Sequence, residues 1–342
     1  MAFNTAAFSP KEWTIGVAEE ATVGTAITSY LGIEAESISF PTVNDAIRVT
    51  EKRLSSTGRV VNENDLINYE PGGVHEISVS GVLTTALVAP LVENAMGVET
   101  SSDIVLVDYN HNPTSFLHGV GSSGAHNTVA FCIEGPAGGP NDSYTMKGCV
   151  ITSLTLRASS QEEGGRFMFD LTAQSRTPIV TTAVAQSTNT IAAYTENFIN
   201  LGVFTENKRI NGVDTVLDSI ALNIDNPVAF LGNGATTGTP EAYQRSIPGF
   251  TATADCVVKY DANTAPFLAN WRAQTVATGG VGGLYLANNA TWGSATTFGI
   301  KMDNVIVAEQ PTFQEDDYMK VSCKILSVSD ETDSEVLAVV VA

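Results

Sequence analysis

Basic residues are scarce in this chain: 17 lysines and arginines stand against 37 aspartates and glutamates, a net charge of −20 over 342 residues. A surface that grips a phosphate backbone is built from Lys and Arg, so this balance argues against nucleic-acid binding. It fits either plain solubility or a surface that must repel nucleic acid. Cysteines are also few. Cys132, Cys149, Cys256 and Cys323 form no CxxC pair, and three lie in strand-like runs, which reads as buried free thiols in a reducing compartment. No apolar run approaches the ~20 residues of a membrane helix. Met1 to Trp13 shows neither the basic nor the apolar region of a secretory leader, so none is expected. The apolar Val336 to Ala342 is short and reads as a buried strand.

Signatures of chemistry are missing as well. The run Gly279-Gly280-Val281-Gly282-Gly283 lacks the Lys-Ser/Thr of a phosphate loop and the spacing of a dinucleotide fingerprint, and reads as a flexible loop. His111, His118 and His126 lie near Cys132 and Asp108, without the local pattern of a cysteine nucleophile or the spacing of zinc ligands. Glu315-Asp316-Asp317 and Asp330-Glu331-Thr332-Asp333 are acidic turns without the alternating oxygens and glycine of a calcium loop. No catalytic, cofactor-binding or metal-binding residue is named, and a non-enzymatic protein is expected.

What the chain does have is strand signal. Short runs rich in Val, Ile and Thr are punctuated by 29 glycines and 13 prolines. Alternating runs cover 75–80, 149–156, 166–174, 219–224, 251–258, 305–307 and 318–326. Ile77 and Val79 alternate with Glu76, Ser78 and Ser80, the pattern of a sheet packed on one face and wet on the other. Helical spacing occurs in two places. Val82 to Met96 carries Leu83, Leu87, Leu91 and Ala95, with Pro90 requiring either a start near Ala89 or a kink. Thr264 to Gln274 follows the capping candidates Asp261 and Asn263.

The length favours about two domains, and the order of motifs says the same. Gly16-Val17-Ala18-Glu19-Glu20 is echoed by Gly202-Val203-Phe204-Thr205-Glu206, and Glu36-Ser37-Ile38-Ser39-Phe40 by Asp218-Ser219-Ile220-Ala221-Leu222. Gly73 to Val82 is echoed by Gly249 to Val258, and Pro90 by Pro266; the separations are 186, 182, 176 and 176 residues. The expected division is 1–185, with a long Gly/Ser/Asn/Pro-rich stretch at 98–147, and 186–342, with Pro178 to Ala193 as linker. One contrast separates the halves. Arg48, Lys52, Arg53 and Arg59 concentrate positive charge in the loop Val43 to Asn64, while the matching Asp225 to Ile247 carries only Arg245. The loop fits a solvated segment or a docking arm for an acidic patch on a neighbour.

The segment Gly16-Val17-Ala18-Glu19-Glu20-Ala21-Thr22-Val23-Gly24-Thr25-Ala26, leading into Glu36 to Phe40, resembles the opening of the tail tube proteins of long-tailed, siphovirus-type bacteriophages. The basic loop Arg48 to Arg59, the Gly72-Gly73 strand-to-helix unit, Leu217 to Leu222 and Pro248-Gly249-Phe250 are similar too. The resemblance implies a mainly β fold: two tandem antiparallel β-sandwich, barrel-forming domains, each with a flanking α-helix. It implies rings whose inner sheets join around a channel, stacking through a long loop, with DNA passing through non-specifically. It implies a virion location, assembly in the host cytoplasm, and tail terminator, tape measure and distal tail proteins as partners. Such proteins mostly form hexamers of single domains. With two apparent copies per chain, a homotrimeric ring of pseudo-sixfold symmetry is expected, with a homohexamer as the alternative.

Under this reading Arg48, Lys52, Arg53 and Arg59 form the docking loop between rings. Glu76, Ser78, Ser80, Asp170, Thr172, Thr253 and Asp255 are the candidates facing the channel. Lys320 and Lys324 alternate in the last long strand and conflict with a purely acidic lining, unless they face away or pair with acids. Other virion parts, such as a decoration protein, and carbohydrate-binding or surface-layer modules are the competing classes; Trp13, Trp271 or Trp292 along one groove would favour a glycan site.

Overall fold

The computed structural model describes residues 13–21, 24, 27–39, 48–50, 66–68, 74–96, 98–100, 107–111, 128–135, 143–175, 177, 180–182, 189–194, 197–205, 207–230, 243–245, 250–278, 283–288, 298–328 and 336–341. The chain is mainly β, as its strand signal dictates. The first thirteen strands are β1 (Thr14–Glu20), β2 (Ser29–Ile33), β3 (Ala35–Ser39), β4 (Arg48–Thr50), β5 (Leu66–Asn68), β6 (His75–Val82), β7 (Val98–Thr100), β8 (Val107–His111), β9 (Thr128–Glu134), β10 (Ser143–Ser159), β11 (Met168–Ser175), β12 (Val180–Thr182) and β13 (Thr190–Ile191). The remainder are β14 (Asn207–Ile210), β15 (Val213–Asp214), β16 (Leu217–Asp225), β17 (Val228–Phe230), β18 (Tyr243–Arg245), β19 (Thr251–Lys259), β20 (Leu284–Ala287), β21 (Phe298–Met302), β22 (Val305–Val307), β23 (Thr312–Glu315), β24 (Met319–Ser327) and β25 (Leu337–Val341).

Strand order recurs. Antiparallel pairing gives β3-β6-β11-β10, and then β16-β19-β24 with β22 and β23 side by side along β24. The two series are one continuous sheet, because β10 also pairs with β16. A second layer repeats too: β2-β1-β9-β10-β12 is matched by β15-β14-β20-β21-β25. The long β10 serves both layers, pairing β9 over its first residues and β11 from Val150 onward.

The register refines the echoes. Pairing slips between Ala35 and Ser37 in one series and between Leu217 and Ser219 in the other, so the separation of 182 residues holds there. Opposite these slips lie Gly81 and Ser80, and Val258 and Val257, which makes the β6-to-β19 separation 177 rather than 176. A one-residue shift exchanges the faces of a strand, and burial agrees: His75 is buried whereas Thr251 is exposed. The first echo is not structural. Gly16 to Glu20 lies in β1, while Leu201–Val203 is a 3-10 turn ahead of β14.

The first helix runs from Thr85 to Met96, and Pro90 sits in a π turn over Ala89–Glu93. Proline has no N–H to give and clashes one turn back; the chain passes it with a local π turn rather than ending the helix. Leu83, Leu87, Val88, Leu91, Val92, Ala95 and Met96 are all buried, so this helix fills the core between the layers. The second helix is shorter than the spacing predicts, Phe267–Ala273. Asp261 holds the preceding turn by accepting from the backbone N–H groups of Asn263 and Thr264.

Phe167, Phe204 and Phe298 form a fully buried aromatic cluster that ties the two series together, with centroids 5.3 to 6.1 Å apart. Parts of the expected linker are strand: β12 joins β10, and β13 runs parallel to β2. The 98–147 stretch also supplies β7, β8 and β9, and β8 pairs with β25 from the other end of the chain. All four cysteines are buried and free. Among the described residues no helix is long and apolar enough to cross a membrane.

Candidate functional site

The wet face of the continuous sheet gathers the chain's polar strand residues. On β6, Glu76, Ser78 and Ser80 stand opposite Gln174, Thr172 and Asp170 of β11. On the other side of β11, Thr172 and Asp170 oppose Ser153 and Thr155 of β10. Thr155 opposes Asn223 of β16, Asn223 opposes Thr253 of β19, and Asp255 opposes Ala221 and, beyond it, Lys324 of β24. Directly opposed residues in a sheet share a face. All seven candidates therefore lie on the same face of one sheet, although three different strands, β6, β11 and β19, supply them.

Hydrogen bonds run along this face across the sheet. Ser37 and Ser80 lie 2.7 Å apart, Ser78 meets Thr172 at 3.3 Å, and Gln174 donates to Glu76 at 2.9 Å. Arg157 donates to Asp170 at 2.9 Å and reaches Glu36 at 3.4 Å, past two intervening strands. At the joint between the two series, Ser153 donates to Asp225 at 2.8 Å and Thr155 to Asn223 at 2.9 Å. Asn223 in turn donates to Asp255 at 3.0 Å. Such cross-strand pairs fix side-chain direction and occupy hydroxyls and amides that would otherwise reach for a passing ligand. Ser37, Ser39, Ser78, Ser80 and Ser153 line a shallow recess of about 260 Å³ on this face.

Sequence reasoning missed Arg157, Thr155, Ser153, Asn223 and Gln174 as members of this face. The alternation of β10 and β16 carried the signal, since Ser153, Thr155 and Arg157 share a parity, as do Ala221, Asn223 and Asp225.

Both lysines of β24 pair with acids. Lys324, on the polar face, donates to Glu309 at 2.9 Å. Lys320 is only 5% exposed, between Asp218 at 2.9 Å and Asp316 at 2.8 Å. Burial works against the Asp218 carboxylate, but hydrogen bonds from Ser160 and Lys320 outweigh it and hold its pKa below the usual value. The same contacts, Asp316 first, hold Lys320 above the usual lysine range. Lys320→Met is expected to lower the urea midpoint at pH 7, because Asp218 then stays buried beside no cation. A depressed carboxylate pKa contributes stability above its unfolded value of about 4 and loses it as pH falls through the folded value. The deficit of the variant should therefore shrink in acid, which urea titrations at pH 7 and pH 3.5 would check.

The remaining candidates resolve differently. Arg48 opens β4, which pairs with β5 in a two-stranded ribbon, Arg48 opposite Asn68. Lys52, Arg53 and Arg59 lie outside the described residues, as do His118, His126, Trp292, the turn at 330–333 and most of the Gly279–Gly283 run. The matching segment of the second series also forms a ribbon, β17 with β18. Gly283 is not a loop filler: a Cβ there would meet the carbonyl oxygen of Met302 at 1.7 Å. Cys132 is buried in β9, and burial, then Glu134, push its thiol up to about 11, so it is protonated at neutral pH. Trp13 packs against the core beside Tyr144, and Trp271 lies on the second helix.

No curated protein matches the chain. A family model described as phage tail tube protein matches residues 13–327 and so takes in both strand series and the whole polar face. The chain belongs to the phage tail tube protein family, and is thereby a structural component of the virion tail.

Proposed function

We propose that this chain builds the tail tube of a siphovirus-type phage as closed rings of three copies, stacked into a channel for DNA. The observation that carries the reading is the repeated strand order within one continuous sheet, β3-β6-β11-β10 followed by β16-β19-β24 with β22 and β23. Each series corresponds to one wall unit, one within residues 1–185 and one within 186–342. One chain then does the work of two single-domain subunits, so three chains replace six and contacts alternate around the ring. Closing the sheet on itself removes the exposed edges that would otherwise recruit unrelated strands.

The polar face lines the channel in this reading. Its carboxylates, Glu76, Asp170 and Asp255, repel phosphates, and its two central cations, Arg157 and Lys324, are already neutralised by acids. Apart from Lys259, exposed at the end of β19, DNA then meets hydroxyls and negative charge, with no array of free cations among the described residues on which to release counterions. The ribbon β4–β5 and the loop it carries dock on the next ring through Arg48, Lys52, Arg53 and Arg59. Tail terminator, tape measure and distal tail proteins are the further partners, and assembly takes place in the host cytoplasm.

Assembly tests the reading. The purified protein should form hollow tubes in negative-stain electron microscopy. Replacing Arg48, Lys52 and Arg53 by glutamate should leave circular dichroism unchanged and give short or single rings. Tubes of normal length from that variant would remove the docking role of the loop.

A further inference from the structure

Two strand positions occur twice in this chain, once covered and once open. The shared register slips make β3 the counterpart of β16, with Ser37 matching Ser219 and Ile38 matching Ile220. The same alignment matches Asp170 with Ser322, because Ser80 opposes Asp170 and its counterpart Val257 opposes Ser322. Thr155 opposes Asp170 and Thr312 opposes Ser322, so Thr155, Leu156 and Arg157 of β10 match Thr312, Phe313 and Gln314 of β23.

Within the chain β10 and β16 are joined, with Leu156 opposite Leu222, Arg157 opposite Ala221 and Ser159 opposite Ser219. Their counterparts β23 and β3 stand at opposite ends of the sheet, and among the described residues neither has a strand on its outer side. Exposure follows this difference. Leu156 is fully buried, whereas Phe313, at the matching core-directed position, is 48% exposed. Its ring is met edge-on by Tyr260 at 5.1 Å, and Tyr318 and Met319 beside it are also exposed. Along β16, Asp218 and Ile220 are buried; along β3, their counterparts Glu36 and Ile38 are exposed and half-buried.

We infer that β23 of one chain takes β3 of a second copy of this chain, in the antiparallel register of the internal joint, with Gln314 opposite Ser39 and Asp316 opposite Ser37 of the neighbour. The occupant is a second copy because the chain already holds a filled version of this joint with the same division of faces. Gln314 and Ser39 fall where Arg157 and Ala221 fall, on the polar face. Phe313 and Ile38 fall where Leu156 and Ile220 fall, on the core side. A slip of one residue would put Phe313 on the polar face. The contact joins two different edges, so it repeats from copy to copy until a ring closes. The inference rests on the tube reading for its biological setting and adds to it the joint and its register.

Cysteine cross-linking of the full chain tests the joint. Gln314→Cys with Ser39→Cys should give cross-linked species up to three chains on a non-reducing gel after mild oxidation. The offset pair Gln314→Cys with Ser37→Cys should react about tenfold more slowly or less, because diagonal positions are about 7–8 Å apart, beyond disulfide reach. Phe313→Ser should keep the thermal midpoint of the isolated subunit and abolish rings in negative stain. Rings without cross-links from the first pair, preferential reaction of the offset pair, or rings from Phe313→Ser would overturn the joint and leave the tube reading standing. Absence of both rings and cross-links in otherwise folded protein would overturn both.

Discussion

Phe167→Ala should unfold at a far lower urea concentration than the parent chain, and it is the single substitution expected to destabilise the isolated subunit most. Phe167 is fully buried, within 5.9 Å of Phe204 and 5.3 Å of Phe298, ring centre to ring centre. It follows the 3-10 turn Glu163–Gly165 and leads into β11, and its backbone closes the sheet by donating to Ile199 and accepting from Leu83. Truncating a buried phenylalanine costs about 3–5 kcal/mol, lost transfer energy and cavity together. Loss of two aromatic contacts adds roughly 0.5–1.5 kcal/mol each. Against a typical total of about 5–15 kcal/mol this is a large share. The cluster lies where residues from both strand series meet, so the effect should appear as one cooperative transition at lower urea. A separate early transition for one series, with the other unchanged, would mean that the cluster does not couple them.

The second large effect is on DNA. Replacing Glu76, Asp170 and Asp255 by lysine moves the formal charge from −20 to −14 per chain and places the new cations on one face. Tubes should still assemble, because none of the three is buried. Retention of DNA should change sharply. Each phosphate neutralised contributes about −0.9 to the slope of log affinity against log salt on duplex DNA, so with three new cations per chain the variant tubes should hold DNA at low salt and release it steeply as salt rises. Parent tubes should hold none under either condition. The readout is DNA co-sedimenting with washed tubes across a salt series. Equal retention by parent and variant would place the polar face away from the DNA path.

The strands that alternate were legible because one side of them is wet. β6, β11, β16 and β19 alternate between buried and more exposed positions over most of their length, and β6, β11 and β19 gave all seven polar-face candidates. The second layer was not legible in the same way. β9 and β20 are buried at every position and so present continuous runs, Thr128 to Glu134 and Leu284 to Ala287, with no period to read. β25 shares that burial but was recognisable as a short apolar run. The 98–147 stretch therefore looked like one long insertion, although it supplies β9 and the start of β10, from Ser143 to Lys147. The repeat was visible in motif order, but the face of β19 relative to β6 needed the register slips, because a single residue decides it. Cross-strand partners such as Arg157 with Glu36 join residues 121 apart in sequence, and no local pattern announces them.

The central claim is that three chains close one ring with this polar face inward. Cryo-electron microscopy of assembled tubes tests it most directly. The tubes should show a closed ring of three chains in which the strand series alternate, with Glu76, Ser78, Asp170 and Asp255 facing an open channel. Six chains per ring, or those residues on the outside of the tube, would contradict it.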